Sequence, residues 1–115
     1  MSRPDLNRWI ADLGTALARA AQPDPRLPGT EYRDGTTLLA CTIRPDGRIA
    51  DIRIVASCGT ETLDRRAVAK LRRADPLPAG PPRAEQRTQM VVMPVAERIR
   101  LPFRRTAAVG APAYA

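Results

Sequence analysis

Histidine is absent from this chain of 115 residues, and aromatic residues are few: Trp9, Tyr32, Phe103 and Tyr114. The first absence removes the usual general base and the commonest metal ligand. The second leaves a core that must be aliphatic and no aromatic platform on which nucleic-acid bases would stack. Lysine is nearly missing as well, since every one of the 19 basic residues except Lys70 is arginine. The arginine bias reads as a habit of genome composition more than a binding code. The net charge of +7 says that anionic partners are favoured. No apolar run reaches the ~20 residues needed to cross a bilayer. The N-terminal segment is not a signal peptide either, because Asp5, Arg8 and Asp12 interrupt it where a continuous apolar stretch is required. There is no internal repeat.

Catalytic signals are equally sparse. Ser57, Thr60 and Thr62 have no histidine to activate them. Asp46, Asp51, Glu61 and Asp64 are dispersed. No spacing matches a phosphate loop, a zinc site or a carboxylate pair. The expectation is a protein that is not an enzyme and uses no cofactor or metal, built as one small domain with a modest buried fraction.

The informative stretch runs from Gly35 to Pro78. Two apolar runs flank Arg44-Pro45-Asp46-Gly47-Arg48, and Asp-Gly between such runs is a strong hairpin signal. If Asp46 and Gly47 are the loop residues, Ile43 faces Ala50, Cys41 faces Ile52 and Leu39 faces Ile54. Every pair is then apolar, whereas a slip of one residue would set Cys41 against Asp51. A helix follows, with Thr60 as N-cap and Glu61 and Asp64 supplying negative charge to its positive end. Leu63, Ala67, Val68 and Leu71 recur on one helical face, while Arg65, Arg66, Lys70 and Arg73 fall mainly on the exposed side. Asp75-Pro76 ends this helix, and residues 77–82 form a stiff connector. Residues 88–95 read as a third strand, in which Pro94 argues for an edge position or a bulge.

Pro4 to Ala21 reads as a separate helix with an apolar stripe of Leu6, Trp9, Ile10, Leu13, Ala16, Leu17 and Ala20. The stripe fits a helix laid on the same sheet better than a membrane-surface anchor, with Trp9 filling the aliphatic core. The expected division is an amphipathic helix and Pro-rich link over residues 1–29, a folded domain over 30–101, and a disordered tail over 102–115. The fold class is α+β: a three-stranded antiparallel sheet packed against two helices. A helix between the second and third strands makes those two parallel, so an antiparallel sheet needs the first strand in the middle, in the order 2-1-3. The third strand is then an exposed edge, and unpaired edge groups invite another chain to add a strand.

The ordered set of Gly35, Pro45-Asp46-Gly47, Ile49, Asp51-Ile52, Ile54, Ser57-Cys58-Gly59, Leu63-Asp64, Ala67-Val68, Leu77-Pro78 and Val92-Met93-Pro94-Val95 resembles the C-terminal domain of TonB-family energy transducers. The second helix is also similar to that of the related TolA domain, with Asp64 near the position of TolA's helix cysteine. The resemblance implies a non-catalytic protein-binding module of transmembrane transport. Its partner would be an outer-membrane transporter for siderophores or other scarce nutrients, which lends an extended segment, the TonB box, to the edge strand. The binding residues would be Gln89, Met90, Val91, Val92, Met93 and Val95. The backbone would give affinity, and the side chains of Gln89, Val91 and Met93 selectivity. Gln22 and Pro23 would be an accessory contact, since TonB proteins often carry a Gln-Pro-x-Tyr-Pro segment near here; the Tyr-Pro is missing. The resemblance implies a periplasmic or envelope setting. This stretch shows no membrane anchor or long Pro-rich spacer, so a fragment of a longer protein and a stand-alone domain, even a cytoplasmic one, both fit.

Two rivals stand beside this reading. One is a dimer joined along the third strand. The other is a small basic nucleic-acid binder using Arg65, Arg66, Arg72 and Arg73 with Arg98, Arg100, Arg104 and Arg105, which the missing aromatic platform makes unlikely. The two cysteines are not expected to pair. Cys58 lies about 20 Å along the strand from the residue facing Cys41, at ~3.3 Å per residue, while a disulfide needs Cα atoms within about 7 Å.

Overall fold

Two apolar runs joined at Pro45-Asp46-Gly47 pair antiparallel as β1 (Tyr32–Ile43) and β2 (Ile49–Ala56). The computed structural model, which describes residues 3–99, adds α1 (Arg3–Ala20), α2 (Glu61–Arg72) and β3 (Arg87–Arg98). The sheet has the order β2-β1-β3, and both pairings are antiparallel. This is the expected α+β fold with the first strand central. The expected disordered tail over 102–115, and Arg100, Arg104 and Arg105, lie outside the described residues.

The hairpin differs from expectation in its loop. Arg44 N donates to Arg48 O at 2.9 Å and Gly47 N donates to Arg44 O at 2.8 Å, so the loop is Pro45-Asp46-Gly47 and not Asp46-Gly47 alone. Gly47 takes φ 89°, the left-handed region that glycine enters without penalty. One residue more in the loop shifts the register, so that Ile43 faces Ile49 and Thr42 faces Ala50. Left uncorrected, that shift would set Cys41 against Asp51. The strand corrects it with a bulge: Asp51, at φ 52°, and Ile52 together oppose Cys41, after which Ala40 faces Arg53 and Leu39 faces Ile54. A second irregularity at Val55 sets Leu38 against Ala56. The Leu39–Ile54 pairing therefore stands as expected. The Ile43–Ala50 and Cys41–Ile52 pairings do not, because the tertiary contacts of the loop outweigh the short-range Asp-Gly preference.

Those contacts come from the Pro-rich connector. Leu77 N donates to Gly47 O at 2.8 Å, and Gly80 N donates to Pro45 O at 2.7 Å. A Cβ on Gly47 would lie 2.0 Å from Leu77 O, so this glycine is required twice over, by its φ and by the approach of the connector. Asp75 Oδ1 also accepts from Ile49 N at 3.1 Å.

One face of the sheet carries the core. Leu39, Cys41 and Ile43 of β1 and Val91, Met93 and Val95 of β3 meet Leu63, Ala67 and Leu71 of α2. Trp9, Leu13 and Leu17 of α1 join the same cluster, so the N-terminal stripe is a packing face. Trp9 Nε1 donates to Pro78 O at 2.8 Å, which satisfies the one polar atom its burial would otherwise strand. Cys41 is a free thiol whose pKa burial pushes up; Cys58 is also free and half-buried.

Two charged residues of α2 are buried, Asp64 in its first turn and Lys70 in its last. Thr60 holds the N-cap position without a side-chain cap bond, and Asp64 does not cap its own helix. Its carboxylate instead accepts from Ser57 Oγ, from Cys58 N at 3.0 Å and from Thr37 Oγ1 at 2.7 Å. These bonds, the one from Ser57 foremost, hold the carboxyl well below the usual range, although burial alone would raise it. Lys70 is likewise buried, where the periodicity placed it on the exposed side.

Two outcomes test this account. Gly47→Ala should destabilise the fold by more than ~1 kcal/mol, since both the φ and the contact are violated, as read by urea unfolding. Asp64 has a folded pKa below its unfolded value of about 3.9, so the stability it contributes is present above that value and is lost as pH falls below it. Asp64→Asn should therefore lower stability at neutral pH and flatten the loss of stability measured below about pH 4.

Candidate functional site

The alternation of β1 decides which groups of β3 are left open. Arg44 N–H points at β2, because it bonds Arg48 O. In a regular antiparallel strand, residues two apart point the same way, so Thr42, Ala40 and Leu38 bond β2, while Ile43, Cys41, Leu39, Thr37, Gly35 and Arg33 bond β3. Their partners Arg87, Gln89, Val91, Met93, Val95 and Glu97 use their backbone groups inward. Thr88, Met90, Val92, Pro94, Ala96 and Arg98 turn theirs to the outer edge. Among the described residues, no other backbone segment hydrogen-bonds that edge.

The edge is divided at Pro94. Having no N–H, Pro94 sits at an outward-facing position, where no ladder bond to β1 is lost. Its carbonyl is occupied: Lys70 Nζ donates to Pro94 O at 2.8 Å and to Gln22 O at 3.0 Å, and stands 3.9 Å from Asp24 Oδ1. Both carbonyls lie at the end of a buried aliphatic stem, so the ammonium is satisfied although its side chain is only 4% exposed. The link after α1 is thereby fastened beside the distal half of β3. Pro23, Asp24 and Arg26 line one cavity with Pro94, Val95 and Ala96. The backbone open to a partner is thus the segment from Thr88 to Val92. Within it, Gln89 Nε2 donates to Met90 O at 3.1 Å.

Side chains follow the same alternation. Val91, Met93 and Val95 are buried in the core, so the expectation that Val91 and Met93 select among partners is corrected. The side chains that face outward are Met90, 48% exposed, and Val92, 61% exposed. They lie beside Ala40 and Leu38 of β1, their cross-strand partners. The signal was present in the sequence as the position of Pro94, which fixes the parity of the strand. Gln22 and Pro23 are brought next to β3, at its distal half beyond Pro94.

The opposite edge of the sheet is unlike this one. β2 is interrupted by the bulge at Asp51 and the irregularity at Val55, and Asp75 takes the N–H of Ile49. Bulges and charges of this kind blunt an edge. By contrast, the β1–β3 ladder is regular over all 12 pairs, and the directly opposed Arg33 and Glu97 form an ion pair, with Arg33 Nε to Glu97 Oε1 at 2.9 Å. Elsewhere, a groove of about 730 Å³ between the C-terminal ends of the helices is lined by Ala16, Ala20, Ala74, Pro76, Leu77 and Pro78, with Arg19 and Arg73 among the other residues. Among the described residues, no three potential metal ligands come together and no helix is long and apolar enough to cross a membrane.

Comparisons with known proteins agree with this architecture. The family described as the Gram-negative bacterial TonB protein C-terminal matches residues 29–96. The solution NMR structure of the TonB C-terminal domain of Helicobacter pylori is similar in fold, with a TM-score of 0.51 and 24% sequence identity, over 83% of this chain and 84% of that one. No curated protein matches the sequence.

The clamp on the link has a measurable consequence. Lys70→Met keeps the aliphatic stem but leaves two carbonyls without their donor, which should cost about 1–3 kcal/mol. Amide hydrogen exchange should quicken most at Gln22 and Leu27, whose N–H groups bond Arg19 O and the Tyr32 hydroxyl, ahead of the core strands. Uniform exchange across the chain would count against the clamp.

Proposed function

Because the chain belongs to the family of TonB protein C-terminal domains of Gram-negative bacteria, a family of non-catalytic interaction modules, we propose that it receives an extended segment of an outer-membrane transporter, the TonB box, as an added strand on β3. The family is periplasmic in general and serves transport across the outer membrane; siderophores are one class of cargo that fits. The observation that carries this reading is the regular outer edge of β3, with Thr88, Met90 and Val92 presenting backbone N–H and C=O groups that no other described backbone segment bonds, the Met90 carbonyl taking only the Gln89 side chain.

Strand addition needs little else. Backbone bonds supply affinity, each worth about 0.5–1.5 kcal/mol net. Alternate side chains of the incoming strand lie beside Met90 and Val92 on the open face of the sheet and supply selectivity. The segment runs along Thr88 to Val92 and stops where Pro94 offers no donor. Gln89 must release the Met90 carbonyl, a small cost because the contact is exposed. Gln22 and Pro23 border the end of the paired stretch and form the accessory contact.

A pair of proline variants tests this with one sequence step between them. Val92→Pro removes an outward N–H and leaves the β1 ladder intact. It should fold with a loss of about 1 kcal/mol and lose binding to TonB-box-like peptides in an NMR titration. Val91→Pro removes an inward N–H and should unfold the sheet. If Val92→Pro binds the peptides as well as the parent does, or if the peptides shift β2 and not β3, strand addition on this edge is wrong.

A further inference from the structure

Beyond Pro94 the outer edge of β3 changes character. The link and Lys70 close it to an added strand, yet the N–H of Ala96 still points outward by the alternation of the ladder and has no backbone partner among the described residues. Ala96 lines a cavity of about 360 Å³ together with Arg26, Arg66, Arg73 and Arg98, whose floor includes Tyr32 and whose one carboxylate is Asp24. Arg26 comes from the link, Arg66 from the middle of α2, Arg73 from its C-cap and Arg98 from the end of β3. Arg66 and Arg73 were singled out with Arg98 as basic residues, and the added-strand reading uses none of them.

Their charges are unequally matched. Arg26 is bonded to Asp34 and lies over the Tyr32 ring, 5.1 Å from its centroid. Arg66, Arg73 and Arg98 have no ion-pair partner among the described residues. Asp24 is already near Lys70. The cavity therefore combines unpaired guanidinium groups with an unpaired edge amide around a space open to solvent.

From this arrangement we propose that the cavity binds a compact phosphate-bearing anion, either free or as the headgroup of a lipid. A carboxylate is saturated by one bidentate guanidinium, whereas a phosphate group carries more acceptor oxygens and up to two charges, which use several planar donors at once. An amide N–H at the rim adds a neutral donor of fixed direction. The site is separate from the added-strand edge: its residues lie beyond Pro94, and the strand edge ends at Val92. Its success or failure leaves the proposed function untouched.

The test is an NMR titration of the full chain with pyrophosphate, with sodium acetate as the control at matched ionic strength. Saturable shifts at the Ala96 and Arg98 amides and at the side-chain Nε of Arg66 and Arg73 are expected, with acetate giving none that saturate. The double variant Arg66→Ser and Arg73→Ser should weaken pyrophosphate binding by about tenfold or more, the effect of losing charged hydrogen bonds. The control pair Arg53→Ser and Arg72→Ser, which removes an equal charge from residues outside the cavity, should leave it within about twofold of the parent. The double variant should still bind TonB-box-like peptides if strand addition holds. Co-sedimentation with phosphatidylcholine vesicles containing phosphatidic acid, lost in the double variant, would make a lipid headgroup the source; pyrophosphate binding without co-sedimentation would make it a soluble phosphate. Shifts that grow without saturation, or an equal loss in the control pair, would show general charge screening and overturn the site.

Discussion

The central position of β1 is the constraint on which the rest of the structure depends. It is bonded to β3 along all twelve residues and to β2 over Leu38–Ile43, so its second half is committed on both sides. Its core-facing side chains Leu39, Cys41 and Ile43 are fully buried. The buried Thr37 hydroxyl on the same strand donates to Asp64, so the strand is also the anchor for α2. Asp64 gathers Thr37, Ser57 and the Cys58 amide at one carboxylate, which fixes where the helix starts relative to both strands. A helix held there covers the β1–β3 face, and β3 is left with one edge bonded and one edge open. The open edge follows from the topology before any side chain along it is specified.

Tight turns in this chain are settled by distant contacts as much as by local preference. Asp46-Gly47 favours a two-residue loop, but the connector after α2 docks on the turn through Gly47 and Pro45, and the loop takes three residues. The bulge at Asp51 absorbs the difference, so the apolar face of β1 still meets apolar partners further along. The same bulge disables the outer edge of β2 as a template. A local adjustment that keeps the core in register thus makes the two sheet edges unequal, and the inequality singles out β3.

Much of this was legible in the sequence, and the parts that were not share a cause. Period-two and period-3.6 patterns named the strands, both helices and the core residues Trp9, Leu63, Ala67 and Leu71, because burial of one face is a local property of spacing. Chain connectivity gave the order 2-1-3. Lys70 was misplaced because its partners are far away, carbonyls 48 and 24 positions distant, and the bond from Thr37 to Asp64 spans 27 positions. A charged residue on a helix looks exposed until the groups that satisfy it are known. Pro94 marks which backbone groups of β3 face the edge, since a proline on an edge strand puts its missing donor outward; that Met90 and Val92 take the open face follows only once α2 is known to cover the other.

Pro94 also explains why an exposed, regular edge is tolerable. An open strand is an aggregation hazard, and proteins blunt such edges with proline, charge and coverage. Here all three act on the half of β3 from Pro94 onward: proline removes a donor, Lys70 takes the carbonyl, and the link with its arginines stands alongside. The half from Thr88 to Val92 has only the Gln89 amide across the Met90 carbonyl. If the edge receives an added strand as proposed, protection concentrated from Pro94 onward limits that strand to the short stretch from Thr88 to Val92.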